Sequence, residues 1–397
     1  MHPFTILFVV ALAASVGVEL WLLARQIHAV HAHRGRVPAP FAAAIGPDQH
    51  ARAADYAVAR ARLAIVERLA AAVLAFAFTV GGGIAAIDQA VAELGLAGLP
   101  HQVASIGAFA LTAAAFALPF DAWRTFRTEA AFGFNRTTPA LFAGDVIKGL
   151  AISAALVLPL AALVLLLMDR AGAGWWLFAS AAWAAFAVAA GWAWPRLVAP
   201  LFNRFSELAP GPLRDGVEAL SRRCGFEPRG VYVMDGSRRS AHGNAYFTGL
   251  GRNKRIVFFD TLVESLAPAE LEAVLAHELG HYRLRHVALR LAASLAAATG
   301  GFALLAWLGQ QSWLQPALGV PGGGPHTLLL LFVVTAPVFL FWLRPLWALL
   351  SRRHEFAADR FAARHADAAA LADALVKLYR DNAATLTPDR LYAAFHA

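Results

Sequence analysis

A single cysteine, Cys224, stands in the 397 residues. That excludes an intrachain disulfide and any zinc cage built from cysteines, so a metal site here needs His and carboxylate ligands. Charge is also scarce: 15% of residues are Asp, Glu, Lys or Arg against 59% hydrophobic, where soluble domains carry roughly 45–50% apolar residues. With a mean hydropathy of +0.55, this excludes a soluble globular chain and points to an integral membrane protein whose first partner is the bilayer. The formal charge of +8 does not build a nucleic-acid face, because the basic residues are interrupted by apolar spans instead of gathering on one domain. No nucleic-acid partner is expected.

Apolar runs long enough to cross a hydrocarbon core of about 30 Å fall near 4–24, 64–87, 103–122, 147–168, 175–194, 287–308 and 327–348. They predict about seven transmembrane helices. The first run lacks a positive segment before Phe4 and a small-residue cleavage site before Arg25, so it reads as a retained span and not a signal peptide. The loops alternate in basic content. Loop one holds Arg25, Arg34, Arg36, Arg52, Arg60 and Arg62, whereas Asp88 to Gln102 and Gly309 to His326 hold no Lys or Arg. Positively charged loops stay on the cytoplasmic side, which predicts an outside N-terminus and a cytoplasmic position for the long fifth loop and the segment after Trp347. The expected organisation is an N-terminal transmembrane region of five helices at 1–195, the first part of a small α+β domain at 196–286, two further spans at 287–348, and the second part of that domain at 349–397.

In the fifth loop, Gly216 to Cys224 predicts an amphipathic helix closed by Gly225, and Gly230 to Val233 and Arg255 to Phe259 predict strands from their β-branched and aromatic content. Gly249 and Gly251 suggest a turn between antiparallel strands. Pro268 then opens a helix with Glu270 and Glu272 in its first turn, as the helix dipole favours.

That helix carries "LEAVLAHELGHYRLRH", Leu271 to His286. Residues four apart share one helix face, so His277 and His281 can grip one ion, while Glu278 on the adjoining face can reach a water without being a ligand. Such an arrangement suits one Zn²⁺ that activates water, with Glu278 as general base in peptide-bond hydrolysis. The third ligand is sought in "SRRHEFAADRFAARH". There Glu355 and Asp359 are four apart, so one carboxylate can bind the metal while the other orients a ligand histidine. His354 is a rival ligand, ranked lower because it points about 100° round the helix from Glu355. His28, His31 and His33 have no carboxylate partner and are read as an ordinary loop. Asn244 to Gly249 reads as a strand able to pair with an extended peptide.

Several long segments resemble the type I CAAX prenyl endopeptidases, integral membrane zinc metalloproteases that include the a-factor-converting enzyme. They are "HGNAYFTGLGRNKRIVFFDTL" (His242 to Leu262), "LAHELGHYRLRH" (Leu275 to His286), "SRRHEFAADRFA" (Ser351 to Ala362) and "LTPDRLYAAFH" (Leu386 to His396), with "EAAFGFNRTTP" (Glu129 to Pro139) in the N-terminal half. The resemblance implies a seven-helix barrel around a water-filled chamber, with the zinc domain facing into it. It also implies His277, His281 and Glu355 as zinc ligands, Glu278 as catalytic base, Asp359 behind a ligand, and Asn244, Ala245 and Tyr246 at the substrate. Members of the family usually continue past the position of Ala397 with a Ser-His-Pro-Pro segment whose His assists at the transition state. The sequence stops just before that segment, so either it is truncated or the role is filled otherwise, by a group such as His286 or Arg360; His286 is also a candidate to support the ligand histidines.

Two classes of function compete on this reading. One is peptide-bond hydrolysis, in CAAX-type processing of a prenylated or unprenylated peptide or protein substrate or in broader membrane-protein quality control. The other is a noncatalytic receptor or transporter with a structural zinc site, which has no use for Glu278 beside an open coordination position. The alanine- and arginine-rich composition fits a bacterial inner membrane, with the endoplasmic reticulum as the eukaryotic counterpart. Oligomeric state is not legible.

Overall fold

Hydropathy dictates the larger half of the architecture. The computed structural model describes residues 1–226, 230–248 and 255–396. Within them, α1 (Pro3–Ala32), α4 (Gly98–Trp123, continuing as a π-helix over Arg124–Glu129), α5 (Pro139–Arg170), α6 (Trp175–Ala193) and α11 (His286–Gly309) are long and apolar enough to cross a membrane, as is Pro325–His365. Only 11% of the apolar stretch of α4 and of α5, and 6% of that of α11, is buried within the protein. The corresponding share is 28% for α1 and 44% for Pro325–His365, so these two spans are the more covered ones.

The run expected as a single span at 64–87 is broken. α2 (Pro47–Phe78) and α3 (Gly83–Ala92) meet at 57°, and counting that pair as one span brings the total to seven. The bend falls where Gly81, Gly82 and Gly83 follow one another. Gly82 sits at φ +76°, and Gly319 at φ +78° approaches so closely that a Cβ there would collide with the Thr79 carbonyl oxygen. The last run also differs from expectation. α13 (Pro325–Leu340) passes through a 3₁₀ turn at Phe341–Leu343 into α14 (Arg344–His365), so the helix bearing Glu355 continues directly from a membrane helix.

Between these spans, α7 (Ala199–Phe202) leads into a four-stranded sheet of β1 (Phe205–Glu207), β2 (Gly230–Met234), β3 (Ala245–Thr248) and β4 (Arg255–Phe259) in the order β1-β2-β4-β3. β2 and β4 are parallel, and β3 pairs antiparallel with β4 through Ala245↔Phe258 and Phe247↔Ile256. β3 is therefore an edge. The turn expected at Gly249 and Gly251 lies outside the described residues. α8 (Pro212–Arg223) is closed by Gly225 at φ +65°; it is followed by α9 (Asp260–Ser265) and α10 (Pro268–Arg283), and α15 (Ala368–Asp381) and α16 (Arg390–His396) complete the chain after the short α12 (Leu314–Ala317) and the helices already given.

One core binds the sheet to its helices: Val217 and Leu220 of α8, Ile256 and Phe258 of β4, Leu271, Leu275 and Leu279 of α10, Ala362 of α14 and Ala374 of α15. A second core, with Phe8, Val164, Trp175, Leu305 and Leu328, closes the far end of the spans. The C-terminal helix is tied back to the first span, since Arg25 donates to both carboxylate oxygens of Asp389 at 3.2 and 2.9 Å and Gln26 Oε1 accepts from the Asp389 N–H at 2.8 Å.

Candidate active site and metal centre

α10 starts where local chemistry says it should. Pro268 occupies the first turn, and Glu270 Oε2 accepts from the Ala267 N–H at 2.7 Å, satisfying a donor the helix leaves orphaned. Leu271, Leu275 and Leu279 lock one face into the core, which leaves His277, Glu278 and His281 on the face turned toward α14. Gly280 lets α14 come close: a Cβ there would stand 3.1 Å from the Ala358 Cα and from the Phe361 Cβ. This contact lays Glu355 over the two histidines.

The resulting geometry is a small triangle. His277 Nε2 and His281 Nε2 are 3.2 Å apart, and Glu355 Oε2 lies 3.4 and 3.3 Å from them. Four ligands at about 2.0–2.1 Å around a tetrahedral ion stand about 3.3–3.4 Å from one another. These three atoms thus fit three corners of a zinc polyhedron and leave the fourth open. Each histidine is held from behind. Asp359 Oδ1 lies 2.8 Å from His277 Nδ1, and His286 Nδ1 lies 3.0 Å from His281 Nδ1. An Nδ1–H donated to such a partner leaves Nε2 as the free lone pair a metal requires. Glu278 is half-buried next to His277, and desolvation, with Glu355 adding to it against the pull of His277, pushes its carboxyl up to about 7.

The other sequence candidates fall in several places. His354 is outside the triangle and stacks on His286, with ring centroids 4.0 Å apart. His33 hydrogen-bonds the Ala29 carbonyl, and among the described residues neither it nor His28 or His31 belongs to a group able to hold a metal. Asn244 is exposed where the chain enters the edge strand. Its carbonyl accepts from the Phe259 N–H at 2.9 Å, and its Oδ1 accepts from the Ala245 N–H at 2.8 Å. β3, with Ala245 and Tyr246, lies against α10; the Tyr246 hydroxyl is directed to Met234 Sδ at 3.8 Å.

Two features escaped the sequence reading. Arg290 NH2 stands 3.5 Å from Glu355 Oε1; its place four residues after His286, one turn along the same helix face, was the available signal. The other is a second group of metal-ligand type, Asp88, His101 and His326, brought together from α3, α4 and α13 by the bend no run of hydropathy reveals. Its spacing differs from that of the triangle. His101 Nε2 and His326 Nε2 lie 2.7 and 2.6 Å from one oxygen, Asp88 Oδ1, which also accepts from Ser105 Oγ at 2.8 Å. Those are hydrogen-bond lengths, shorter than the ligand separations of a tetrahedral ion, so this group reads as a hydrogen-bonded clasp between three helices.

Comparison with known proteins agrees with this architecture. Residues 26–204 match the family described as CAAX prenyl protease N-terminal, five membrane helices, and residues 208–396 match peptidase family M48. The chain is 35% identical over 285 residues to a CAAX prenyl protease 1 homolog of Oryza sativa subsp. japonica, covering 70% of this chain and 66% of that protein. It is 31% identical over 319 residues to the CAAX prenyl protease 1 homolog of Homo sapiens, covering 70% and 67%. The chain thus spans about two thirds of the length of these curated relatives. The crystal structure of S. mikatae Ste24p superimposes with a TM-score of 0.92 at 26% identity, covering 100% of this chain and 96% of that one. The chain is therefore a multi-pass integral membrane protein that belongs to the metallopeptidase family M48.

Proposed function

We propose that the protein is a membrane-embedded zinc metalloendopeptidase that holds one ion through His277, His281 and Glu355. The observation that carries this is the triangle of 3.2, 3.3 and 3.4 Å between their ligand atoms, with the half-buried Glu278 next to His277 on the same helix. When bound, the ion polarises the scissile carbonyl and acidifies the attacking water. Glu278 takes the proton from that water and returns it to the leaving amine, the general base and then general acid role its place beside the ligands allows. Asp359 and His286 hold the two imidazoles in the tautomer that presents Nε2. Glu278 also favours catalysis over a structural site, which needs no base.

The substrate is an extended peptide. Among the described residues β3 ends the sheet and lies against α10, and an edge strand so placed can be extended by a peptide. The printed names of the relatives, CAAX prenyl proteases, make C-terminal processing of prenylated proteins the first substrate class to test. The division carried over as part of this reading is a membrane region at 1–195, a first catalytic part at 196–286, two spans at 287–348 and a second catalytic part at 349–397. The alternation of basic loops supports a cytoplasmic catalytic end and an outside N-terminus. Purified protein incubated with prenylated and unprenylated forms of one peptide, with products read by mass spectrometry, tests the reading. Cleavage abolished by a chelator is expected, and absence of cleavage of either peptide by the metal-loaded protein contradicts it.

A further inference from the structure

The edge strand does not stand alone. It is entered through His242 and Gly243, and these two residues are gripped from both halves of the protein. From the membrane half, Glu129 closes the π-helix Arg124–Glu129, an irregularity that re-aims side chains and often marks functional positions. Its Oε1 accepts from the Tyr56 hydroxyl at 2.6 Å, while its Oε2 is buried, has no hydrogen-bond partner, and lies 3.4 Å from His242 Nε2. Phe134, from the loop that follows, stacks on the same imidazole with centroids 4.3 Å apart, and its carbonyl accepts from the Ala241 N–H. From the C-terminal half, Asn382 at the end of α15 accepts the Gly243 N–H on Oδ1 at 3.2 Å and donates Nδ2 to the Gly243 carbonyl at 3.4 Å.

That pair of bonds fixes which way the Asn382 amide points. Oδ1, which also faces His242 Nδ1 at 3.1 Å, must therefore accept there too, and His242 carries its proton on Nδ1. Nε2 is left facing the carboxylate oxygen that has no other partner. A ring held through Nδ1 and stacked on one face, with Glu129 Oε2 standing 3.4 Å from Nε2, can take a single orientation. The backbone it belongs to runs straight into Asn244 and Ala245.

We propose that Glu129 is a positioning residue for substrate: through His242, and together with Asn382, it fixes the register of the edge strand Ala245–Thr248 to which the extended peptide pairs. This rests on the peptide-cleaving reading above. It gives the "EAAFGFNRTTP" segment of the membrane half a task at the catalytic end, since nothing in that segment reaches the metal triangle. Glu129 touches neither metal ligands nor Glu278, so its loss weakens peptide binding and leaves the chemical step intact.

The test combines peptide kinetics with amide hydrogen exchange on the metal-loaded protein. Glu129→Ala is expected to raise KM about tenfold with kcat within about threefold, because the side chain that fills the space beside the His242 ring is lost and the effect is felt in binding. Metal content should be unchanged, and the amides from Asn244 to Phe247 should exchange about tenfold faster. Glu129→Gln, whose amide can donate to the His242 Nε2 lone pair, should restore KM and exchange to within about threefold of the parent. If Glu129→Ala does not fold, Asn382→Ala reads the same clamp from the other side. Unchanged KM and unchanged exchange in the alanine variant overturn the proposal, as does a fall in kcat at constant KM. Should the parent protein cleave no peptide, the function reading fails by itself, and the exchange of Asn244 to Phe247 still decides whether Glu129 holds the strand.

Discussion

Gly280 and Ala358 are in contact across two helices, with room at Gly280 for hydrogen and not for a methyl group, since a Cβ would sit 3.1 Å from the Ala358 Cα and 3.2 Å from its carbonyl oxygen. The obstacle is helix backbone, which cannot swing aside as a side chain can. Gly280→Val therefore pushes α14 away from α10, costs about 1–3 kcal/mol as overpacking does, and moves Glu355 off the histidines. Metal occupancy of the purified variant should fall below that of the parent while its helical circular dichroism is kept.

The ligand assignment separates neighbouring residues on one helix. Glu355→Ala should lower metal content sharply, because it removes one corner of the triangle, and His354→Ala should not, because His354 stacks on His286 away from it. Asp359→Asn should fall between, weakening metal affinity about 10–100-fold as loss of a partner behind a ligand histidine does. Metal analysis after dialysis against graded chelator orders the three.

The helix that carries the histidines depends on Glu270 for its start. Burial alone would raise that carboxyl, but the Lys377 ammonium at 2.8 Å and the Ala267 N–H outweigh it and hold the group below its ordinary value. A carboxyl lowered on folding stabilises at pH above its unfolded value, about 4.3, and the contribution is lost as pH falls through the folded value. Glu270→Gln should thus be less stable at neutral pH by on the order of 1–2 kcal/mol. The gap to the parent should close as the medium is acidified below about pH 4, read by thermal unfolding in detergent.

Sidedness has its own check. In a background with the buried Cys224 replaced by alanine, single cysteines at Glu93 and Ser312 should react with an impermeant reagent from the outer face, and one at Arg36 only from the cytoplasmic face. The opposite pattern would invert the orientation read from the loops.

What the sequence made legible follows the physics of each signal. Spans are long and apolar, so length and hydropathy found them, and the 3.6-residue period alone put His277 with His281 and Glu355 with Asp359. Pro268 and Glu270 marked a helix start by rules that act within one turn. The bend between Phe78 and Gly83 was missed because it depends on Gly319, far away in the chain, as well as on the local glycines. The Asp88–His101–His326 clasp needs that bend, and the His242–Glu129–Asn382 grip joins residues whose proximity only tertiary structure sets. Gly280 was in plain view inside the motif, yet its reason, the Ala358 backbone, is 78 positions away along the chain.

The central claim is that Glu278 is a base beside an open metal corner. Glu278→Gln keeps shape and hydrogen-bonding size but cannot take a proton, so it should bind metal as the parent does while losing at least about 10²-fold in rate, the lower range for general-base catalysis. Metal analysis and single-turnover cleavage of one peptide, performed on the same preparation, measure both. Full metal content with the rate lost is the predicted result; full metal content with the parent's rate would contradict the account.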